Sequence, residues 1–342
     1  MIRPIAIILL AIATIASFAH AADESAGSPS NVIRIGIIGL DTSHVPEFTK
    51  IFNNPKATGN LAGFKVVAAY PGGSSDIPSS FNRIPQYTKA VQGMGVEIVN
   101  SIPDLLSKVD VVLLESVDGR PHLEQARPVL AAHKPVFIDK PLAGSLVDAI
   151  AIEKLGEKYQ TPWFSSSSLR YGPKMEKVLA DPKLGKITGC DAWSPSPLEE
   201  HHPDLFWYGV HGVELLYTVM GPGCQSVTRA HTQGCDVVVG TWADGRIGVF
   251  RGLRDAKHDY GVVVYGTKQV EAELGFEGYE PLVEQIARFF KTKKPPVSAK
   301  ETIEIFTFME AADESKRQNG TPVKLADVLA KAEQQAQAKV DH

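Results

Sequence analysis

From residue 32 onward, short apolar runs rich in β-branched residues alternate with longer stretches whose apolar positions recur at helical spacing. The segment 32–39, VIRIGIIG, reads as a strand buried on both faces and closed by glycine. Similar runs at 64–70, 109–115, 135–139 and 163–168 predict further strands. Helices are predicted from about 45, over 125–132 and over 145–160. Strands separated by helices imply a parallel, doubly wound sheet with its ligand crevice at the carboxyl ends of the strands. After about residue 170 the runs change character: 227–232, 236–242, 246–251 and 261–265 are β-rich and divided by turn signals such as Asp244-Gly245. They predict a largely antiparallel sheet. Helices at 281–291 and 300–318, and a short one after 324, close the chain.

The first residues stand outside this pattern. Arg3, the apolar stretch 4–18 and the small-x-small sequence 19–21 read as an export signal ending at residue 21, too short for a membrane span. Residues 22–31 read as a flexible leader. The expected organisation is signal 1–21, leader 22–31, an α/β Rossmann-like domain 32–168, and an α+β domain 169–342. The expected destination is the periplasm or the extracellular space, by the general secretory route, with no membrane span left after cleavage.

A charge of −4, from 35 Lys+Arg against 39 Asp+Glu, offers no field for nucleic acid or an anionic membrane. A small-molecule site is the better expectation. Cys224 and Cys235 are candidates for a bridge in an oxidising compartment, and an odd cysteine count leaves at least one thiol unpaired. The stretch 199–204, EEHHPD, holds metal-ligating residue types at no recognised spacing, so it reads as a polar loop and no metal site is expected. Trp193, Trp207 and Tyr208 offer faces for a sugar ring or for core packing.

Four segments carry a family resemblance: IGIIGL at 35–40, DKPLA at 139–143, GVHGVE at 209–214, and EQIARFF at 284–290 with MEAADES at 309–315. In this order they make the chain resemble the glucose-fructose oxidoreductase / inositol dehydrogenase (Gfo/Idh/MocA) family. The resemblance implies NAD or NADP on a Rossmann domain, a carbohydrate or polyol substrate, and a homo-oligomer built through the second sheet. It implies hydride transfer in which Lys140 and His211 handle the proton. It places Gly36, Gly39, Leu40, Asp41, Thr42, Ser43, His44, Ser116, His122 and Lys140 along the cofactor. Arg170, Tyr171, His202, Trp207 and Tyr208 fall on the substrate side.

The chain departs from the family pattern where the dinucleotide is held. Asp41 stands at the second glycine of the fingerprint and His44 at its third small residue. Asp41 or Thr42 caps the following helix, or Asp41 and His44 line a reshaped polar pocket. No carboxylate ends the second strand to read a ribose, and Trp207 replaces a frequent Asp before His211. Three functions follow: a dinucleotide-dependent sugar or polyol oxidoreductase, a carbohydrate-binding protein without cofactor, or a lyase or hydrolase using a tightly bound nicotinamide transiently.

Overall fold

The computed structural model describes residues 32–341; the expected signal, the leader and the cleavage site lie outside them. The chain from Val32 onward forms one compact body. Its first sheet contains β1 (Ile33–Ile38), β2 (Phe64–Tyr70), β3 (Glu97–Ile98), β4 (Val111–Leu114), β5 (Val136–Ile138) and β6 (Trp163–Phe164). The strand order is β3-β2-β1-β4-β5-β6 and every pairing is parallel. This is the dinucleotide-fold order with its switch point between β1 and β4. Ile35, Ile37 and Ile38 of β1 and all of β4 are buried, which explains their unbroken apolar text.

The crossovers are α1 (His44–Phe52), α2 (Pro78–Phe81), α3 (Ile84–Gln92), α4 (Ile102–Lys108), α5 (His122–Ala131) and α6 (Leu146–Lys158). Ser-x-x-acid starts set two of them: Ser101 accepts from the Asp104 N–H and Ser145 from the Asp148 N–H. The start of α1 differs. Its N-cap is Ser43, whose side chain makes no capping hydrogen bond, and the closest substitute is Thr42 Oγ1, 3.4 Å from the His44 N–H. Asp41 caps nothing, which corrects that expectation.

After a short turn at Ser168–Tyr171 come α7 (Pro173–Ala180), β7 (Ile187–Pro195), α8 (Val210–Met220), β8 (Cys224–His231), β9 (Cys235–Trp242), β10 (Ile247–Leu253), β11 (Gly261–Gly266) and β12 (Val270–Leu274). The chain closes with α9 (Glu280–Thr292), α10 (Ala299–Arg317), β13 (Val323–Lys324) and α11 (Leu325–Val340). The second sheet runs β12-β11-β7-β10-β9-β8-β13, antiparallel except for β7 beside β10. The expected α/β fold with a largely antiparallel second sheet is thus present. One difference concerns α9, whose Leu282, Val283, Ile286, Phe289 and Phe290 join Phe48, Phe137 and Phe164 on the first sheet. The chain therefore returns to the first domain before it ends. The helix after residue 324 is also longer than expected, at 16 residues.

Cys224 opens β8 opposite Trp242, whereas Cys235 opens β9. The antiparallel register puts the two thiols at opposite ends of the ladder, roughly 20 Å apart at about 3.3 Å per residue. They are not bridged, and all three cysteines are free. Among the described residues no helix is long and apolar enough to cross a membrane.

Candidate functional site

Gly39 follows β1 with a φ of +89°, and a Cβ there would fall 2.4 Å from the Ser116 backbone nitrogen. Only glycine fits so close an approach of the first turn to the segment after β4. Two of the turn's donors are already used: Gly39 N–H reaches the Tyr70 carbonyl at 2.9 Å, and Leu40 N–H the Pro71 carbonyl at 2.7 Å. Asp41 is fully buried; it accepts from the Val117 N–H at 2.9 Å and from Ser80 Oγ at 2.6 Å. Burial raises its carboxyl above the usual range, and these two hydrogen bonds partly offset that.

A second polar network lies beside the first. Asp118 accepts from Ser74 Oγ at 2.5 Å and from the Arg120 N–H at 2.8 Å. Arg120 extends its guanidinium to Asp76 through two contacts of 2.8 Å. On the other side Asp118 meets His202 Nε2 at 3.1 Å, and His202 Nδ1 lies 2.7 Å from Glu199. Burial alone would raise the Asp118 carboxyl, but the contact with His202 and hydrogen bonds from Arg120 and Ser74 hold it well below the ordinary range. The loop 199–204 is thereby tied across the end of the first sheet, with its histidines spent on carboxylates.

Between the two sheets opens a cleft of about 340 Å³, a volume at the lower end for small-molecule sites. It is lined by Thr42, Ser43 and His44 from the first turn, Lys140 from the end of β5, and Trp207, Tyr208 and His211 before and on α8. Tyr260, Phe276 and Tyr279 complete its aromatic wall. Gly212 brings α8 close: a Cβ there would lie 2.4 Å from the Phe250 ring. This contact seats His211 against the sheet at the cleft.

His211 Nδ1 is 2.8 Å from Ser167 Oγ, leaving Nε2 for a ligand. Its ring stands edge-on to Tyr208, with centroids 4.8 Å apart. Tyr208 and Tyr260 share a hydroxyl hydrogen bond of 2.8 Å, and Lys140 Nζ lies 5.8 Å from the Tyr208 ring centre. Burial, reinforced by the charges of Lys140 and His44, pushes the His211 imidazole well below its ordinary value. His211 is therefore a neutral proton acceptor at neutral pH. This has a consequence for folding: below pH 6.5 the unfolded chain binds a proton at this residue that the folded chain refuses. Stability falls with pH from that point, by up to about 1.4 kcal/mol per unit for one group. Chemical denaturation between pH 7 and 5.5 is expected to show a shallower pH slope for His211→Gln than for the wild type.

Beneath the cleft, His44 Nδ1 lies 2.7 Å from Asp139 Oδ2 and 3.7 Å from Glu115 Oε2. Burial and the charge of Asp139 push Glu115 well above the carboxylate range. Burial opposes ionisation of Asp139 too, but His44 and Lys140 outweigh it and lower that carboxyl.

Other residues singled out from the sequence lie away from the cleft. Arg170 is buried between Glu214, at 2.9 Å, and Glu301, at 2.6 Å, and Tyr171 packs in the core of the first sheet. Neither lines the cleft, because the buried guanidinium is neutralised within the second domain. His122 bridges the carbonyls of Ser116 and Leu142 at 2.8 and 3.1 Å. Ser116 Oγ donates to Gln125, and Gly36 packs under Leu105. Conversely, Glu115, Ser167, Tyr260 and Tyr279 escape sequence reasoning. Glu115 reads as the end of an apolar strand, and the others come from segments without a motif.

Residues 33–165 match the model of an oxidoreductase family with an NAD-binding Rossmann fold, Gfo/Idh/MocA. No curated protein matches the chain. Among solved structures, GenD2 from gentamicin A biosynthesis, in complex with NAD, is 14% identical with a TM-score of 0.70, covering 91% of this chain and 99% of that one. Scyllo-inositol dehydrogenase from Lactobacillus casei, with bound NAD(H) and scyllo-inositol, is 16% identical with a TM-score of 0.69, covering 86% and 99%. A probable dehydrogenase from Thermotoga maritima is 20% identical with a TM-score of 0.69, covering 86% and 100%. At such identities the likeness is one of fold. The family model thus matches the first domain, and over 86 to 91% of its length the chain has the fold of these dehydrogenases.

Proposed function

We propose that the cleft is an acid–base active site for a sugar- or polyol-sized molecule, working without a dinucleotide in the crevice. The observation that carries this reading is Asp41. A pyrophosphate needs backbone N–H donors and no negative charge in the turn after β1. Here a buried carboxylate takes that place and uses the Val117 N–H and Ser80 Oγ. The Gly39 and Leu40 amides are occupied as well. The residues present do not fit the family's cofactor.

Acid–base work needs no such cofactor. His211 accepts a proton at Nε2 while Ser167 fixes its ring. Lys140 supplies a positive charge to a hydroxyl or carbonyl oxygen that gains negative charge. Trp207, Tyr208, Tyr260 and Tyr279 offer flat apolar faces to the C–H side of a ring. Proton transfer of this kind serves elimination, isomerisation or hydrolysis. The export signal expected at residues 1–21 is consistent with a site independent of free dinucleotide.

The redox reading of the family is the second one, favoured by the family match and by the dehydrogenase fold. In it Lys140 and His211 keep their proton-handling roles, and Asp41 must release Val117 and Ser80. One measurement separates the two. Protein recovered after expression of the full chain is denatured and assayed for NAD(H) and NADP(H), and native protein is titrated calorimetrically with each. The expected result is no released nucleotide and no binding tighter than about 1 mM, roughly −4 kcal/mol. Stoichiometric release or micromolar binding overturns the proposal in favour of the redox reading.

A further inference from the structure

We propose that His44, Glu115 and Asp139 hold a divalent cation of the zinc or manganese class beneath the floor of the cleft. The three residues open α1, follow β4 and follow β5, so adjacent strand ends bring them together from distant parts of the chain. One ligand atom from each lies within 4.8 Å of the others, and all three residues are buried, at 6%, 0% and 1% exposure.

The donors are directed inward. Asp139 Oδ1 accepts from the Lys140 N–H at 2.8 Å, which leaves Oδ2 facing His44 Nδ1. Neither oxygen of Glu115 has a hydrogen-bond donor among the described residues. A buried carboxylate without a donor costs several kcal/mol unless a charge compensates it. Lys140 stands near the Tyr208 ring rather than in a hydrogen bond with either carboxyl group.

One imidazole and two carboxylates suit zinc or manganese, with bonds of about 2.0–2.2 Å for zinc. Three protein ligands leave a coordination position open, as in catalytic sites. His44 and Lys140 both line the cleft, so that position adjoins the ligand space. There a cation polarises an oxygen of the bound molecule beside Lys140. This last role rests on the proposed acid–base function; the binding of the metal does not.

The test is metal content and affinity, which need no substrate. The purified chain is stripped with a chelator, titrated separately with Zn²⁺, Mn²⁺ and Co²⁺, and its bound metal counted by mass spectrometry. The expected result is one ion per chain, a visible d–d spectrum with Co²⁺, and affinity lowered at least about 100-fold in both Glu115→Gln and Asp139→Asn. Glu199→Gln, in the other histidine–carboxylate cluster, is expected to bind as the wild type does. Denaturation curves of the stripped variants confirm that they fold. No binding of any of the three ions overturns the proposal. So does stoichiometric binding unchanged by either substitution, or lost in Glu199→Gln alone. The nucleotide assay is independent of these outcomes, so failure of the metal site and failure of the acid–base reading are separable.

Discussion

Replacing Arg229 by alanine is expected to cost about 3–5 kcal/mol of folding stability, the usual penalty for removing one partner of a buried ion pair. Arg229 is a charged side chain fully inside the second domain, at 1% exposure. It contacts Asp236 at 2.7 Å, Asp204 at 2.8 Å and Asp313. Arg254 on Asp236 and Lys316 on Asp204 complete a set with three charges of each sign. Truncation leaves the buried Asp236 and Asp313 without their shared partner, and their mutual repulsion is only weakly screened. Because Asp204 belongs to the loop that leads to Trp207 and Tyr208, the loss should extend to the cleft wall. Urea denaturation checks the first expectation and the fluorescence of Trp207 the second. A loss under 1 kcal/mol would mean that water reaches the network and that the second sheet does not depend on it.

Asp118→Ala is expected to cost about 2–4 kcal/mol, somewhat less because Arg120 is part-exposed and keeps Asp76 as a partner. The carboxylate serves Ser74, Arg120 and His202 together, so its removal frees both the loop after β2 and the loop 199–204. The pH dependence follows from its sign. The folded carboxyl sits below its unfolded value near 3.9, so the unfolded chain binds the proton first as pH falls. The stabilisation is complete above that value and is lost progressively on acidification below it. Wild type and variant should therefore converge in stability as pH falls below about 4, and denaturation midpoints at pH 7 and pH 3.5 measure this. A difference that stays constant with pH would show that Asp118 acts through packing alone.

Both residues were beyond sequence reading, for one reason. Asp118 lies three residues past the strand predicted at 109–115, and Arg229 sits mid-strand on the same face as Val227, where a polar residue reads as exposed. Nothing local shows that their partners come from loops and helices far along the chain. The strand β7 escaped differently: its text, ITGCDAWSP, lacks a β pattern, yet β10, β11 and α8 bury it from three sides. Packing overrode propensity there. For the same reason α9 was legible as an amphipathic helix but not as a cover for the first sheet.

Periodicity and glycine placement determined most of the first sheet, because a strand buried on both faces must be apolar throughout and a tight turn must be small. The family resemblance of the DKP and GVHG segments singled out Lys140 and His211. Only the tertiary structure decided what Asp41 does. Its text allowed a helix cap or a ligand contact, and the fold gave it the Val117 amide and the Ser80 hydroxyl instead. Only the tertiary structure joined Glu115 and Asp139 to His44, since adjacent parallel strands are separated in sequence by a crossover helix. A local pattern reports which side chains are buried; which buried charges meet is set by long-range strand order.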